Sequence, residues 1–232
     1  MKIGILQTGH AHPSMADLGD YDAMFRDLLA GRGYDFVSYD VEGGVLPEDP
    51  RDCDGWLITG SKHGAYEDHP WIPPLEAFIR AIRDAGVPLV GVCFGHQIIA
   101  QALGGRVEKF AGGWSIGRKV YHFGDRDVAL NAWHQDQVTE VPEGGEVVAS
   151  SDMCANAAIV YGDTIFTIQP HPEFTAEGLE ALIRLRGPGV VPDDLLDQAR
   201  ERLDQPLGAQ VMADRFAQVF ATGGRSARGD AA

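Results

Sequence analysis

Residues 88–103 read PLVGVCFGHQIIAQAL, and this stretch decides the fold of the chain. Its first part, Leu89 to Val92, is an apolar run of the length expected for a buried parallel strand. Its last part, Gln97 to Leu103, consists of apolar and helix-favouring residues and is followed by the stop signal Gly104-Gly105. The stretch therefore predicts a strand that passes directly into a helix.

The predicted turn between this strand and helix is Gly91-Val92-Cys93-Phe94-Gly95. Such a turn holds its central residue in a strained conformation, and glycines two residues before and after it relieve the crowding. Cys93 occupies the tip, where the N-terminus of the helix favours a thiolate. The N–H of Phe94 would face an oxyanion formed by attack of this thiolate. On this stretch alone, a small buried hydrophobic Cys93 is an equally good interpretation.

The composition limits the class of protein. The chain has 232 residues, of which 44% are apolar and 23% charged, as is ordinary for a globular domain with a sizeable core. Its formal charge of −15 would repel nucleic acid and anionic lipid. Neither is therefore expected as a partner.

The cysteines and the N-terminus indicate the compartment. Cys53, Cys93 and Cys154 lie far apart without metal-type spacing, which favours free thiols in a reducing environment. The first apolar run, Ile3 to Leu6, is too short for a signal peptide, and no later stretch could span a bilayer. We therefore expect a cytoplasmic protein that makes no contact with a membrane.

Strand and helix patterns alternate along the first half of the chain. The predicted elements are a strand at 2–7, a helix at 21–32, strands at 35–41 and 55–59, a helix at 73–84 and the strand at 89–92. This alternation favours a flavodoxin-like α/β fold, with a mixed but mostly parallel central sheet flanked by helices. Ligands bind such sheets at the carboxyl ends of the strands, so Gly60-Ser61 and Cys93 should lie on one rim.

The second half carries a different pattern, of short strands that should add antiparallel or mixed pairs to the sheet. These strands are predicted at 106–110, 118–123, 147–150, 157–161 and 165–169, with a loop at 112–117. Helices are predicted at 175–186, 192–203 and 207–220. We expect residues 1–190 to form the main domain, residues 191–222 a helical extension packed on it, and residues 223–232 a flexible tail.

One of the eight histidines has the surroundings of a general base. His171 directly follows the predicted strand at 165–169 and sits between two prolines in the run QPHPE at 169–173. The prolines hold the backbone extended, so that the carboxylate of Glu173 faces the same side as the imidazole. By itself this segment favours a loop histidine beside a solvated glutamate. Together with the turn at 91–95 it favours a base, because a thiol nucleophile needs a base that a third group orients.

These residues resemble the motifs of the class I, or triad, glutamine amidotransferases. Gly-Val-Cys-Phe-Gly-His-Gln at 91–97 and His-Pro-Glu at 171–173 carry the likeness. It is closest to the free-standing proteins that resemble the amidotransferase domain of GMP synthase. The supporting motifs, in order, are TGS at 59–61, GGWSIG at 112–117 and WHQDQV at 133–138. The resemblance implies the class I amidotransferase fold.

The resemblance also implies a role for each matched residue. Cys93 is the nucleophile that forms a γ-glutamyl thioester, His171 the base and then the acid, and Glu173 the group that orients His171. The backbone N–H groups of Gly60 and Phe94 form the oxyanion hole. The positions expected to hold the α-amino and α-carboxylate ends of the glutamyl group are Gln97, Gly113, Trp114, Ser115 and His134. For His134, a hydrogen-bonded loop is an equally good interpretation.

The implied reaction is hydrolysis of the γ-glutamyl amide bond of glutamine, with release of glutamate and ammonia. The chain has no Gly-rich phosphate loop and too few further residues for an ATP-using synthetase domain. Ammonia would therefore be accepted by a separate synthetase subunit or released. Two alternatives stay open: a γ-glutamyl peptidase acting on γ-glutamyl peptides or conjugates, and a non-catalytic binding or regulatory module.

No cofactor is expected, and no metal ligands are assigned. His10 and His12 form a His-x-His pattern, but without a matching carboxylate pattern this is a weak signal for a metal site.

Overall fold

Eleven strands and six α-helices alternate along residues 1–226, the part of the chain that the computed structural model describes. The strands are β1 (Lys2–Gln7), β2 (Asp35–Asp40), β3 (Gly55–Ile58), β4 (Leu89–Val92), β5 (Arg106–Lys109), β6 (Ser115–Phe123), β7 (Arg126–His134), β8 (Asp136–Glu140), β9 (Gly145–Ser151), β10 (Cys154–Tyr161) and β11 (Ile165–Ile168). The helices are α1 (Tyr21–Leu28), α2 (Ile72–Ala85), α3 (Phe94–Ala102), α4 (Ala176–Arg186), α5 (Asp193–Arg200) and α6 (Ala209–Ser226).

Nine of these strands form one sheet, in the order β2-β1-β3-β4-β11-β10-β9-β6-β7. From β2 to β11 in this order the strands pair in parallel, and from β11 to β7 they pair antiparallel. The strands β5 and β8 form a separate antiparallel ribbon. The predicted mixed α/β sheet flanked by helices is therefore confirmed.

Both faces of the parallel half are covered by helices. On one face, Trp56 and Leu89 belong to the apolar cluster that α2 and α3 complete. On the other face, Leu57 and Val90 belong to the cluster that α1 and α6 complete. Every residue of β3 and β4 is buried. A strand buried on both faces needs no alternation of polar and apolar residues, which explains the continuous apolar runs of the sequence.

The helices after residue 190 bury apolar side chains against the sheet. Phe216 of α6 is fully buried, and its ring lies 6.1 Å from that of Phe166 in β11. In α5, Ala199 lies directly on Gly117 of β6, where an added Cβ would come within 2.8 Å of the alanine Cβ. The division of the chain at residue 190 into a domain and an extension stays a prediction.

The sequence patterns do not predict β7 and β8. Strand β7 reads RDVALNAWH and buries three successive residues, Leu130 to Ala132, so it lacks the alternation of a half-buried strand. The predicted loop at 112–117 is wrong in its second half, because β6 begins at Ser115 and pairs there with His134 of β7. This ladder supplies the backbone hydrogen bonds that a loop would lack.

Helix α6 continues to Ser226, four residues into the predicted tail at 223–232, and the flexibility of that tail stays a prediction. Gly223 and Gly224 each lower helix stability by about 1 kcal/mol, but α6 continues past both of them. Residues 227–232 lie outside the described part of the chain. Within residues 1–226, no helix combines the length and the apolar character that crossing a membrane requires.

Truncation of Phe216 should destabilise the protein strongly. Phe216→Ala removes a fully buried ring from the layer between α6 and β11, so the free energy of unfolding should fall by about 3–5 kcal/mol in denaturant titrations. Gln218→Ala, exposed on the same helix, is the control and should change it by less than about 0.5 kcal/mol. Equal effects of the two changes would contradict the packing of α6 as a core element.

Candidate active site

The turn between β4 and α3 holds its central residue in a strained conformation. Cys93 has φ 52° and ψ −103°, and among residues 1–226 no other residue except glycine has a positive φ. Strain of this kind, about 1–3 kcal/mol, clusters at functional sites. The predicted strand–turn–helix elbow is present, with the buried Cys93 side chain at the N-terminus of α3.

The two glycines of the elbow are required by close backbone contacts. A Cβ at Gly95 would collide with the carbonyl O of Ile58 at the end of β3. A Cβ at Gly91 would lie 2.6 Å from the carbonyl O of Gly95. Both contacts involve backbone, which cannot move aside as a flexible side chain can. The glycine spacing therefore allows α3 to pack directly against the ends of β3 and β4.

His171 is held in place at the end of β11. Its backbone N–H donates to the carbonyl O of Asn131 in β7 at 2.8 Å. Its imidazole stacks on Phe174, with ring centroids 4.0 Å apart and planes 5° from parallel. The side-chain amide of Asn131 donates in turn to the carbonyl O of Phe174 at 2.9 Å. Strand β7 therefore positions the histidine.

A buried carboxylate orients the imidazole. Nδ1 of His171 lies 2.6 Å from Oε1 of Glu173, and the two side chains are 5% and 1% exposed. Burial alone would lower the pKa of His171, but the negative charges of Glu173 and of the Cys93 thiolate outweigh it and raise the pKa to about 10. At neutral pH the ring is therefore an imidazolium.

Gly60 lies close to both Cys93 and the imidazole of His171. A Cβ at Gly60 would be 3.0 Å from Cε1 of His171 and 3.8 Å from Cβ of Cys93. The carbonyl O of Thr59, in the same peptide group as the Gly60 N–H, accepts a hydrogen bond from the N–H of Gly95 at 3.1 Å. This bond fixes the orientation of the Gly60 N–H relative to the elbow.

Gln97 and His134 both bind the carbonyl O of Asp136. Nε2 of Gln97 donates to it at 2.9 Å, and Nδ1 of His134 lies 3.2 Å from it. Burial, followed by the charge of His171, lowers the pKa of His134 to about 3, so this ring is neutral and its Nδ1–H donates. The buried Nε2 of His134 has no hydrogen-bond partner among the described residues.

These side chains meet at a cavity of about 490 Å³. Seven of the ten predicted site residues line it: Gly60, Cys93, Gln97, Trp114, His134, His171 and Glu173. The other three do not line it. Phe94 packs its ring against Trp71, although its predicted role concerns the backbone N–H alone. Ser115 is buried at the start of β6, and Gly113 lies in the preceding turn with φ 91°.

Part of the cavity wall consists of residues that no motif indicates. Tyr21 of α1 contributes to it, as do four residues at or just after the end of α4: Leu185, Arg186, Pro188 and Val190. Nη2 of Arg186 donates to the carbonyl O of His10 at 3.1 Å, which anchors the guanidinium group at the cavity. The basic end of the predicted helix at 175–186 is the signal that could have indicated this wall.

Limiting iodoacetamide should label Cys93 before Cys53 and Cys154. Burial raises the pKa of the Cys53 thiol and raises that of Cys154 to about 12. His171 stays protonated below its raised pKa, so an imidazolium faces Cys93 throughout the neutral range. Peptide mapping after limiting reaction at pH 7 should therefore find the label on Cys93 before it appears on either other cysteine.

The control for this labelling is Glu173→Gln. It removes the charge that raises the pKa of His171, so labelling of Cys93 at pH 7 should be slower than in the unsubstituted protein. Preferential labelling of either other cysteine would count against the elbow assignment.

Adding a methyl group to the elbow should be costly. Gly95→Ala forces a Cβ against the carbonyl O of Ile58, so the free energy of unfolding should fall by about 1–3 kcal/mol or more. Gly178→Ala is the matched control in α4, because a Cβ there meets its nearest atom, Oγ1 of Thr175, at 3.6 Å. The control should leave stability unchanged or raise it by up to about 1 kcal/mol. Urea titration of both variants measures the contrast, and equal stabilities would refute it.

Comparisons with known proteins agree with this geometry. The family model described as glutamine amidotransferase class-I matches residues 34–183. A glutamine amidotransferase-like protein of Schizosaccharomyces pombe is 32% identical over 218 residues, 84% of this chain and 88% of that protein. Gamma-glutamyl peptidase 3 of Arabidopsis thaliana is 28% identical over 223 residues, 88% of this chain and 90% of that protein.

A solved structure gives the same result. A glutamine amidotransferase from Methylobacillus flagellatus is 25% identical and aligns with a TM-score of 0.75, over 97% of this chain and 94% of that one. The resemblance found in the sequence motifs is confirmed: the chain belongs to the class I glutamine amidotransferase family.

Proposed function

We propose that this protein hydrolyses γ-glutamyl amide bonds through a thioester on Cys93. One observation carries the proposal: the strained Cys93 and the buried pair of His171 and Glu173, 2.6 Å apart, line the same cavity. A strained nucleophile turn beside an oriented base is the arrangement that acyl transfer needs. Membership of the amidotransferase family supports the same reaction.

In the first half of the reaction, the thiolate of Cys93 attacks the γ-carbonyl carbon and a C–S bond forms. The N–H groups of Gly60 and Phe94 stabilise the oxyanion of the tetrahedral intermediate. The imidazolium of His171 then gives its proton to the nitrogen of the leaving group, and the C–N bond breaks. The products of this half are the γ-glutamyl thioester and ammonia or an amine.

In the second half, water replaces the thiolate. Neutral His171 takes a proton from the water as its oxygen attacks the thioester carbon, so that a C–O bond forms and the C–S bond breaks. Glutamate leaves, and the thiolate and imidazolium are restored. Glu173 keeps its charge throughout and stabilises the imidazolium form, which is the role of an orienting carboxylate.

The glutamyl end of the substrate is held beside the elbow. Because Nε2 of Gln97 already donates to two protein oxygens, we assign its Oε1 to the substrate α-amino group. The unpartnered Nε2 of His134 is a second acceptor in the same wall. Trp114 lines the cavity, and its main chain is assigned to the α-carboxylate; the predicted contributions of Gly113 and Ser115 are not part of this assignment, because neither residue lines the cavity.

The leaving group can be larger than ammonia. A cavity of about 490 Å³ falls in the range of about 300–1,000 Å³ that encloses drug-sized ligands, and glutamine is smaller than these. Lys62 and Arg186 both line the cavity, and the guanidinium group of Arg186 suits a carboxylate on the leaving peptide. The second candidate function, a γ-glutamyl peptidase, rests on this extra space and charge.

Ammonia transfer to a separate synthetase subunit remains a prediction. The cavity carries a complete set of reacting groups from this chain alone: nucleophile, base and orienting carboxylate. We therefore expect hydrolysis without ATP and without a second protein.

The test is glutamate release from glutamine and from γ-glutamyl dipeptides by the pure protein. Cys93→Ala and His171→Ala should each lower turnover by about four decades or more. Cys154→Ala removes a buried thiol outside the cavity and should leave turnover unchanged. Arg186→Ala should raise KM for a dipeptide with a free carboxylate by about tenfold or more and leave KM for glutamine unchanged.

Each contrary outcome has a distinct meaning. The first contrary outcome is a folded protein that a γ-glutamyl chloroketone labels fully at Cys93 but that releases glutamate from none of the substrates. This outcome would refute autonomous hydrolysis. Absence of labelling as well as turnover would favour the non-catalytic binding module. Glutamine turnover alone, without peptide turnover, would refute the peptidase.

A further inference from the structure

The loop between β3 and α2, residues 59–71, carries a second group of ionisable side chains. Nδ1 of His63, a carboxylate oxygen of Glu67 and Nε2 of His69 all lie within 4.8 Å of one another. His63 Nδ1 is 3.2 Å from Oε2 of Glu67, and His69 Nε2 is 2.7 Å from the same oxygen. We propose that these three side chains bind a divalent transition-metal ion of the zinc class.

The distances suit such an ion. Zinc binds histidine nitrogen and carboxylate oxygen at about 2.0–2.2 Å, so neighbouring ligand atoms of a tetrahedral site lie roughly 3.4 Å apart. The His63 contact already has nearly this length, and the His69 contact must open by less than about 1 Å. Two histidines and one glutamate are also a known ligand set for zinc with an open fourth position.

A second carboxylate supports His63 from behind. Oε1 of Glu42 lies 3.1 Å from Nε2 of His63, the ring nitrogen that faces away from Glu67. A ligating histidine commonly donates its other N–H to a carboxylate, which fixes the tautomer and orients the ring. Here that bond presents the lone pair of Nδ1 to the proposed ion. Lys62 holds the same oxygen of Glu42 at 2.7 Å.

The rings of His63 and His69 lie close together, with centroids 4.1 Å apart. His10 shows the contrast: Asp20 and Asp40 bind its opposite ring nitrogens, and within residues 1–226 no second imidazole converges on either carboxylate. Convergence of two imidazoles on one carboxylate oxygen is what distinguishes the group at His63.

The proposed ion would lie in the wall of the catalytic cavity. His63 and Glu67 both line that cavity, and Gly60 belongs to the same loop. Water or an anionic group of a bound ligand can therefore reach the fourth coordination position. The site does not depend on the proposed reaction, because none of its ligands belongs to the nucleophile, the base or the orienting carboxylate.

The test titrates Co²⁺, as a coloured substitute for zinc, into the Cys93→Ala protein, which lacks the catalytic thiol as a competing ligand. We expect one Co²⁺ per chain with the intense visible bands of tetrahedral cobalt. His63→Ala and His69→Ala should each weaken binding by roughly a hundredfold or more, and Glu42→Gln by about 10–100-fold. His122→Ala is the matched control, an exposed histidine paired with one carboxylate at 2.7 Å, and should bind as the parent does.

The outcomes separate this proposal from the proposed reaction. Stoichiometric binding that survives both His63→Ala and His69→Ala would overturn the site, as would the absence of binding to folded Cys93→Ala protein. Thermal unfolding without metal checks that the variants are folded. If His63→Ala fails this check, His69→Ala decides, because His69 is 30% exposed in a surface loop. Absence of glutamate release from the unsubstituted protein, together with intact Co²⁺ binding, would refute the reaction alone.

Discussion

The backbone of Cys93 is the constraint on which the rest of the site depends. A positive φ at a residue with a side chain costs about 1–3 kcal/mol, and the turn itself has no means of offsetting it. The stabilisation comes from β4, which is buried throughout, and from α3, which is buried over eight of its nine residues. Gly91 and Gly95 let these two elements approach closely enough to hold the turn between them. The reactive geometry is therefore a property of the whole parallel core.

The order of the strands explains why distant segments meet at this turn. Strands β3, β4 and β11 are neighbours and run in parallel, so their carboxyl ends bring Gly60, Cys93 and His171 to one rim. The antiparallel strands between Cys93 and His171 in sequence extend the sheet beyond β11, and the end of β7 contributes His134 to the cavity wall. Among them, β7 reaches back to bind the backbone of His171 through Asn131. The topology of the sheet thus brings together groups that are far apart in the sequence.

What could be predicted from the sequence follows from the range of each interaction. The elbow is a local event, so the glycines around Cys93 indicate it, and the continuous apolar runs indicate the parallel strands. Strand β7 is stabilised by its pairing with β6 along its whole length and by the hydrogen bond of the buried Asn131, so its own pattern shows no alternation. The part of the cavity wall at Arg186 depends on packing between separate segments, and the convergence of His63 with His69 depends on the conformation of one loop. Neither produces a periodic pattern of residues in the sequence.

Two buried histidines of the cavity show how the site places its proton. Burial acts to lower the pKa of both rings. The net pKa of His134 is lowered, whereas the net pKa of His171 is raised. The difference lies in the partner: His171 faces the full charge of Glu173, whereas His134 faces a neutral backbone carbonyl and feels the positive charge of His171. The proton is therefore confined to the ring beside Cys93. Because the neighbouring ring stays neutral, it can accept a hydrogen bond from a ligand without competing for the proton that the leaving group must receive.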